Sequence, residues 1–255
     1  MKNYILSHKN KIILSFGSIA LMWLVWIIAY YAVGNDYIVP SFQDTFVSLF
    51  KCFAEGNFWL SFLTTLLRTA IAFIISFALA AVCAAISRVS SVFKWLIEPI
   101  ITVLRTLPTL AVLLLILIWT NANAAPVIVT VLMLFPAIYV QFTAAISAVD
   151  DGLLQMAEVY NISKKDRLLK IYLPMVSPEI FSQVGANISL GLKVTVSAEV
   201  MANTYTSLGG LMQNARSFLE MPRLAALTLI TVVIGLIVEI AFAQLNRINA
   251  KWRGR

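Results

Sequence analysis

Charge is what this sequence has least of: Asp, Glu, Lys and Arg make up 12% of its 255 residues, against 60% apolar. So little charge excludes a soluble or disordered chain and places the protein in the membrane class. Histidine is almost missing. The single His8 sits beside Lys9 and Lys11, so no histidine-based metal centre is expected, and none is assigned. Cys52 and Cys83 have no framework spacing, which excludes a disulfide scaffold and leaves two free thiols. No G-x-x-x-x-G-K-[ST] segment occurs, so the chain has no phosphate-cradling loop of its own. Carboxylates are not clustered either, Asp150–Asp151 being the only adjacent pair, which disfavours a membrane-embedded enzyme. An internal repeat, the mark of many secondary transporters, is also absent.

Long apolar runs are abundant. The first, Ile12–Val33, is about 22 residues, enough to span a bilayer at 1.5 Å per residue and too long for a signal-peptide core. No small-residue cleavage site follows it, so it reads as an uncleaved helix. Further spans are expected near Trp59–Ile86, Ile97–Trp119, Ala125–Val149, Ile180–Met201 and Leu224–Leu245. The fold class is therefore all-α, a membrane protein of about six transmembrane helices. An amphipathic helix carrying Phe42, Phe46, Leu49, Phe50 and Phe53 is expected between the first two, lying on the outer leaflet.

Lysine and arginine orient the chain. With the N-terminus inside, Lys2, Lys9, Lys11, Arg88, Lys94, Lys164, Lys165, Arg167, Lys170, Arg247, Lys251, Arg253 and Arg255 face the cytoplasm, and only Lys51, Arg216 and Arg223 lie outside. Both termini are then cytoplasmic. The formal charge of +7 is a topology signal rather than a nucleic-acid footprint.

One cytoplasmic stretch departs from its surroundings. "QMAEVYNISKKDRLLKIYLP", Gln155–Pro174, is crowded with charge. Leu153, Met156, Ala157 and Tyr160 recur at helical spacing, and Asn161 tolerates the left-handed conformation that ends a helix. Ser163 with Asp166 three positions on is a capping signature. A second helix with Leu168, Leu169 and Tyr172 on one side is expected to end at Pro174 and Pro178. The element is a helical hairpin under the membrane. It suits anionic headgroups or a cytoplasmic partner.

This stretch resembles the cytoplasmic "EAA" loop of permease subunits of ATP-binding-cassette importers, E-A-A-x-x-x-G followed after nine residues by I-x-L-P. Gln155, Met156 and Ala157 fall on the triplet, Asn161 on the glycine, and Ile171, Leu173 and Pro174 on the end. Glu, Ala and Gly of the pattern are here Gln, Met and Asn. "VPSFQD" (Val39–Asp44), "TLLRTAIAFIISFALA", "LRTLPTLAVLLLILIW" and "AEVMANTYTSLGGLM" are similar to segments of the nitrate/sulfonate/taurine branch, extending the resemblance from about Ile38 to the C-terminus.

The resemblance implies a single permease domain over 1–255 of the type I importer kind. It has an N-terminal helix at 12–33, a core at about 59–245 and a coupling loop at 150–178. It also implies a multi-pass location in the plasma membrane of a prokaryote, surrounded by lipid bilayer. No cofactor is expected on this chain, ATP and Mg being held by a partner ATPase. The expected partners are two ATPase subunits, a second copy of the chain in a homodimer, and an extracytoplasmic solute-binding protein. The solute implied is a small anion such as nitrate, a sulfonate or taurine, although relatives carry thiamine-pyrimidine precursors or other nutrients.

The fifth span is the least lipid-like. Asn187, Ser189, Lys193, Ser197, Glu199 and Asn203 form a polar arc, and such residues in a membrane face a cavity or a partner. Two readings stand. Either the arc lines the translocation path, Lys193 offering a positive charge to an anion and Glu199 lying near the outer gate, or it makes structural contacts. In the structural reading Arg68 or Arg105 is the partner; in the other they join the arc as candidates for the path.

Overall fold

A computed structural model describes residues 8–253, and the described residues are helical, with no strand among them. Eleven helices follow in chain order: α1 (His8–Val33), α2 (Phe42–Ala54), α3 (Gly56–Val89), α4 (Ser91–Thr106), α5 (Thr109–Trp119), α6 (Ala125–Ser147), α7 (Asp151–Val159), α8 (Lys164–Arg167), α9 (Leu173–Ala202), α10 (Leu208–Ser217) and α11 (Met221–Arg253). Gly56–Val89, Ala125–Ser147 and Met221–Asn246 are each long and apolar enough to cross a membrane.

The centre of the molecule is α9, packed against α3, α6, α10 and α11. What lets α3 approach α6 is a seam of small residues: Ser61, Thr65, Thr69, Ala72, Ser76, Ala80, Ala84 and Ser87 are all buried. In lipid, helix association is driven by close packing, which short side chains permit. The Ser76 hydroxyl donates to the Ala72 carbonyl at 2.7 Å, whereas the Ser61 hydroxyl is buried with no partner among the described residues. On the other flank Gly185 of α9 meets Phe242 and Glu239 of α11 so closely that a Cβ would not fit.

The expected amphipathic segment between the first two spans is α2. Ser41 caps it, accepting from the Asp44 amide at 3.0 Å. Its Phe42, Phe46 and Phe50 are exposed while Thr45 and Cys52 are buried, and it packs on α11. Arg223 at the start of α11 pairs with Glu55 at 2.6 Å, fastening the α2–α3 corner.

Two expectations need correction. The third span is not one helix. The chain breaks between α4 and α5 with a bend of 101°. Leu107 precedes Pro108 and is extended, at φ −66° and ψ 131°, as the proline ring requires of its predecessor. Secondly, Pro174 and Pro178 do not end a helix; they lie within α9, which starts at Leu173 rather than Ile180. Pro174 is the second residue of α9, at its junction with the preceding helical turn, and Pro178 lies inside it. The second hairpin helix is correspondingly short: one turn of α8, then a π-helical turn over Leu168–Tyr172 that runs directly into α9.

Candidate functional site

The hairpin is built by local rules. Asp150 opens α7, its carboxylate accepting from the Gly152 amide at 2.8 Å, where a negative charge also suits the helix dipole. The far end of α7 closes in a left-handed turn at Asn161, φ 51°. The Ile162 amide donates to the Ala157 carbonyl at 2.9 Å and the Asn161 amide to that of Glu158 at 3.0 Å. These two bonds make up a Schellman cap. Ser163 then starts α8, accepting from the Asp166 amide at 3.1 Å while its hydroxyl donates to the Asp166 carboxylate at 2.8 Å. Lys170 pairs with Asp166 at 2.8 Å. That bond first, and the one from Ser163 second, hold the Asp166 carboxyl below its ordinary pKa.

Arg167 closes the hairpin across its waist. Its Nε donates to the Ile162 carbonyl at 3.1 Å and its Nη2 to the Ala157 carbonyl at 3.3 Å, tying α8 to the Schellman turn and to α7. The sequence had marked Arg167 only as a surface charge. An arginine four residues after the Ser163 cap was the available signal.

The hairpin has two faces. Inward, Ala157 is buried, and Val149, Leu154, Ile171 and Tyr172 pack with Ala145, Val176 and Ile180 at the roots of α6 and α9. Outward, Gln155, Met156, Val159, Tyr160, Leu169, Leu173 and Pro174 are exposed, with Val159 at 78% and Tyr160 at 74%. The side chain of Leu168 lies outside the described residues. Of the loop residues singled out in sequence, Ala157 and Ile171 therefore hold the hairpin to the membrane helices. Gln155, Met156, Tyr160, Leu169 and Leu173 stay open to a partner.

The polar arc of α9 divides. Glu199 is wholly buried. It accepts from Thr65 Oγ1 at 2.8 Å, Arg68 Nη1 at 2.9 Å and the Gly209 amide at 3.3 Å. Arg68 also donates to the Thr206 carbonyl at 3.1 Å and to Asn123 Oδ1 at 3.1 Å. One ion pair thereby joins α3, α9, α10 and the α5–α6 turn. At Gly209 a Cβ would collide with Glu199 Cβ and the α9 backbone, so only glycine fits. Asn203 ends α9 in the left-handed conformation, φ 52°. Of the two arginines named from sequence, Arg68 is the partner of Glu199; Arg105 lies exposed near the end of α4.

Ser189 is buried, and its hydroxyl faces Gly235 of α11. Ala186, Leu190, Lys193, Ser197 and Met201 are exposed, one stripe at three- and four-residue spacing along α9. Toward the hairpin end of α9, Asn187 and Gln141 of α6 exchange two amide hydrogen bonds, at 2.7 and 3.1 Å. Gln141 escaped the sequence reading, though a lone amide in an apolar run was visible. Below that pair an open cavity of about 430 Å³ lies between α6 and α9, lined by Gln141, Ala144, Met175, Glu179 and Gln183. Among the described residues no group of three His, Cys, Asp or Glu side chains is placed to hold a metal.

Comparisons with known proteins agree with this architecture. The family model described as "Binding-protein-dependent transport system inner membrane component" matches residues 76–249. The taurine transport system permease protein of Escherichia coli is 23% identical over 252 residues, covering 96% of this chain and 91% of its own. A putative aliphatic sulfonates transport permease protein of the same organism is 28% identical, over 84% of this chain and 82% of its own. Among solved structures, a chain of a bacterial ABC transporter involved in the import of the acidic polysaccharide alginate superposes with a TM-score of 0.67. That match is 14% identical and covers 94% of this chain and 96% of the other.

Proposed function

The chain belongs to the binding-protein-dependent transport system inner membrane component family, and from that membership we propose that it imports a small anion of the sulfonate, taurine or nitrate type. It is a multi-pass membrane protein, the permease subunit of an ATP-binding-cassette importer. The similarity to taurine and aliphatic sulfonate permeases supports the substrate class. A cation on the one uncovered stripe of α9 supports it independently.

In this reading two copies of the chain form the pathway, and the hairpin of each docks on one of two ATPase subunits, which bind ATP and Mg. A solute-binding protein delivers the anion at the outer face. The observation that carries the mechanism is continuity: the Leu169 and Leu173 part of the docking face and the Lys193 stripe belong to one uninterrupted stretch of helix, through the π-helical turn into α9. A push on Leu169 or Leu173 moves α9 without an intervening joint. The Arg68–Glu199 pair passes that motion to the outer loops, because breaking it would leave a charge buried and unpaired.

Lys193 can attract an anion because a charged side chain inside a membrane costs about 2.5–3.5 kcal/mol by insertion scales, and an arriving anion offsets part of that cost. Lys193→Met is expected to lower uptake of taurine into proteoliposomes by about tenfold, the equivalent of 1.4 kcal/mol, with assembly and basal ATP hydrolysis unchanged. Lys193→Arg should be milder. Uptake by Lys193→Met at the parental rate would remove this residue from the path.

A further inference from the structure

The cytoplasmic corner where α3 ends, α4 begins and α6 ends holds a cavity of about 360 Å³. It lies away from both the docking face and the α9 stripe. Its lining includes two cations, Arg88 and Lys94, and four hydroxyls, from Ser87, Ser91, Thr143 and Ser147. The hydroxyls of Ser87 and Tyr139 share a hydrogen bond of 2.9 Å, which fixes the back wall. Glu98 stands 3.6 Å from Lys94 and partly offsets it. No carboxylate lines the cavity itself. The Arg88 guanidinium lies over the Tyr172 ring at 5.8 Å from its centroid. Arg88 makes no hydrogen bond or ion pair with the described residues, so its five N–H donors remain available.

Thr143 Oγ1 donates to the Tyr139 carbonyl at 3.0 Å and is spent, but the two cations with the Ser91 and Ser147 hydroxyls around one opening form a site for an anion with several oxygens. The surroundings narrow the source. Val89, Val92, Trp95 and Leu96 beside the cavity are exposed, Val89 at 84% and Trp95 at 78%. An exposed tryptophan among aliphatic side chains, next to lysine and arginine at the inner end of a span, is the composition of a headgroup-level surface. Basic pockets between membrane helices on the cytoplasmic side suit phosphate headgroups.

We propose that the Arg88–Lys94 cavity binds the phosphate of an anionic phospholipid headgroup from the inner leaflet. The occupant would touch α3, α4 and α6 together. Through Arg88 and Tyr172 it would also lie one residue from the start of α9, so lipid composition would bear on the hairpin's position.

The test is native mass spectrometry of the full chain taken from bilayers of phosphatidylcholine with and without phosphatidylglycerol. Wild type should retain phosphatidylglycerol selectively, and an Arg88→Gln/Lys94→Gln double variant should retain about tenfold less, each cation contributing near the membrane surface. Arg88→Lys with Lys94→Arg should restore retention and shows that loss is not misfolding. Titration with inorganic phosphate forms the second arm. Binding of phosphate that the double variant loses, with no lipid retained, would keep the anion site and assign it to a soluble phosphate. Retention equal in wild type and double variant, or no binding of either anion, would overturn the proposal. Import activity is not the readout, so the result stands apart from the substrate assignment above.

Discussion

Glu199 concentrates most of what single residues do here. Its carboxylate is fully buried, yet it receives three donors from Thr65, Arg68 and Gly209. A buried ion pair contributes little net stability against an apolar replacement, but removing one partner is costly, about 3–5 kcal/mol. Glu199→Ala should therefore lower the thermal midpoint of the detergent-solubilised protein sharply. Glu199→Ala/Arg68→Met should recover much of the loss, since no charge remains stranded. If the single and double variants melted together, the pair would not be the fastening that its geometry indicates. Residues 68 and 199 are far apart in sequence, which is why the pairing was open there between Arg68 and Arg105. Asn161 is the contrasting case. Its left-handed turn follows from its own chemistry and its neighbours, and it was legible directly.

At the scale of elements the same distinction holds. The hairpin was readable because caps, Schellman turns and apolar spacing are local. Its second half was not. A proline looks the same in sequence whether it ends a helix or stands inside one, and Pro174 does the latter because the π-helical turn leads into α9 without a stop. The broken third span had given warning. The expected run Ile97–Trp119 contains both Glu98 and Arg105, and α4 turns out to be amphipathic, with Val92, Leu96, Ile100 and Val103 exposed and Ile101 buried. A helix of that kind belongs to the interface more than to the bilayer core.

The hairpin also makes its own prediction. Arg167 donates two charge-assisted hydrogen bonds, to the Ile162 carbonyl of the turn and the Ala157 carbonyl of α7, worth about 1.5–3 kcal/mol each at most. Arg167→Ala should raise amide hydrogen exchange over residues 155–172 while leaving α3 and α6 protected. Exchange unchanged at Ile162 and its neighbours would show that the turn holds without this clasp.

For the whole molecule, the basic residues predict the orientation, with the hairpin inside. Impermeant thiol labelling of intact cells, in a background lacking Cys52 and Cys83, should reach a cysteine at Asn121 or Tyr205 and spare one at Lys165. All three are exposed in the fold, so only the bilayer distinguishes them. Labelling at residue 165 from outside would invert the topology.

The central claim is that an outward-facing apolar surface on the hairpin engages an ATP-hydrolysing partner and passes its motion to α9. Met156 and Leu169 are exposed at 55% and 48%, and burying a side chain of this size in an interface is worth about 1.5–3 kcal/mol. The most direct measurement is copurification of the ATPase encoded with this chain against Met156→Asp/Leu169→Asp, with membrane insertion verified in the same preparation. Loss of the ATPase from a normally inserted double variant is the predicted result. A double variant that retained its ATPase and imported at the parental rate would contradict the account.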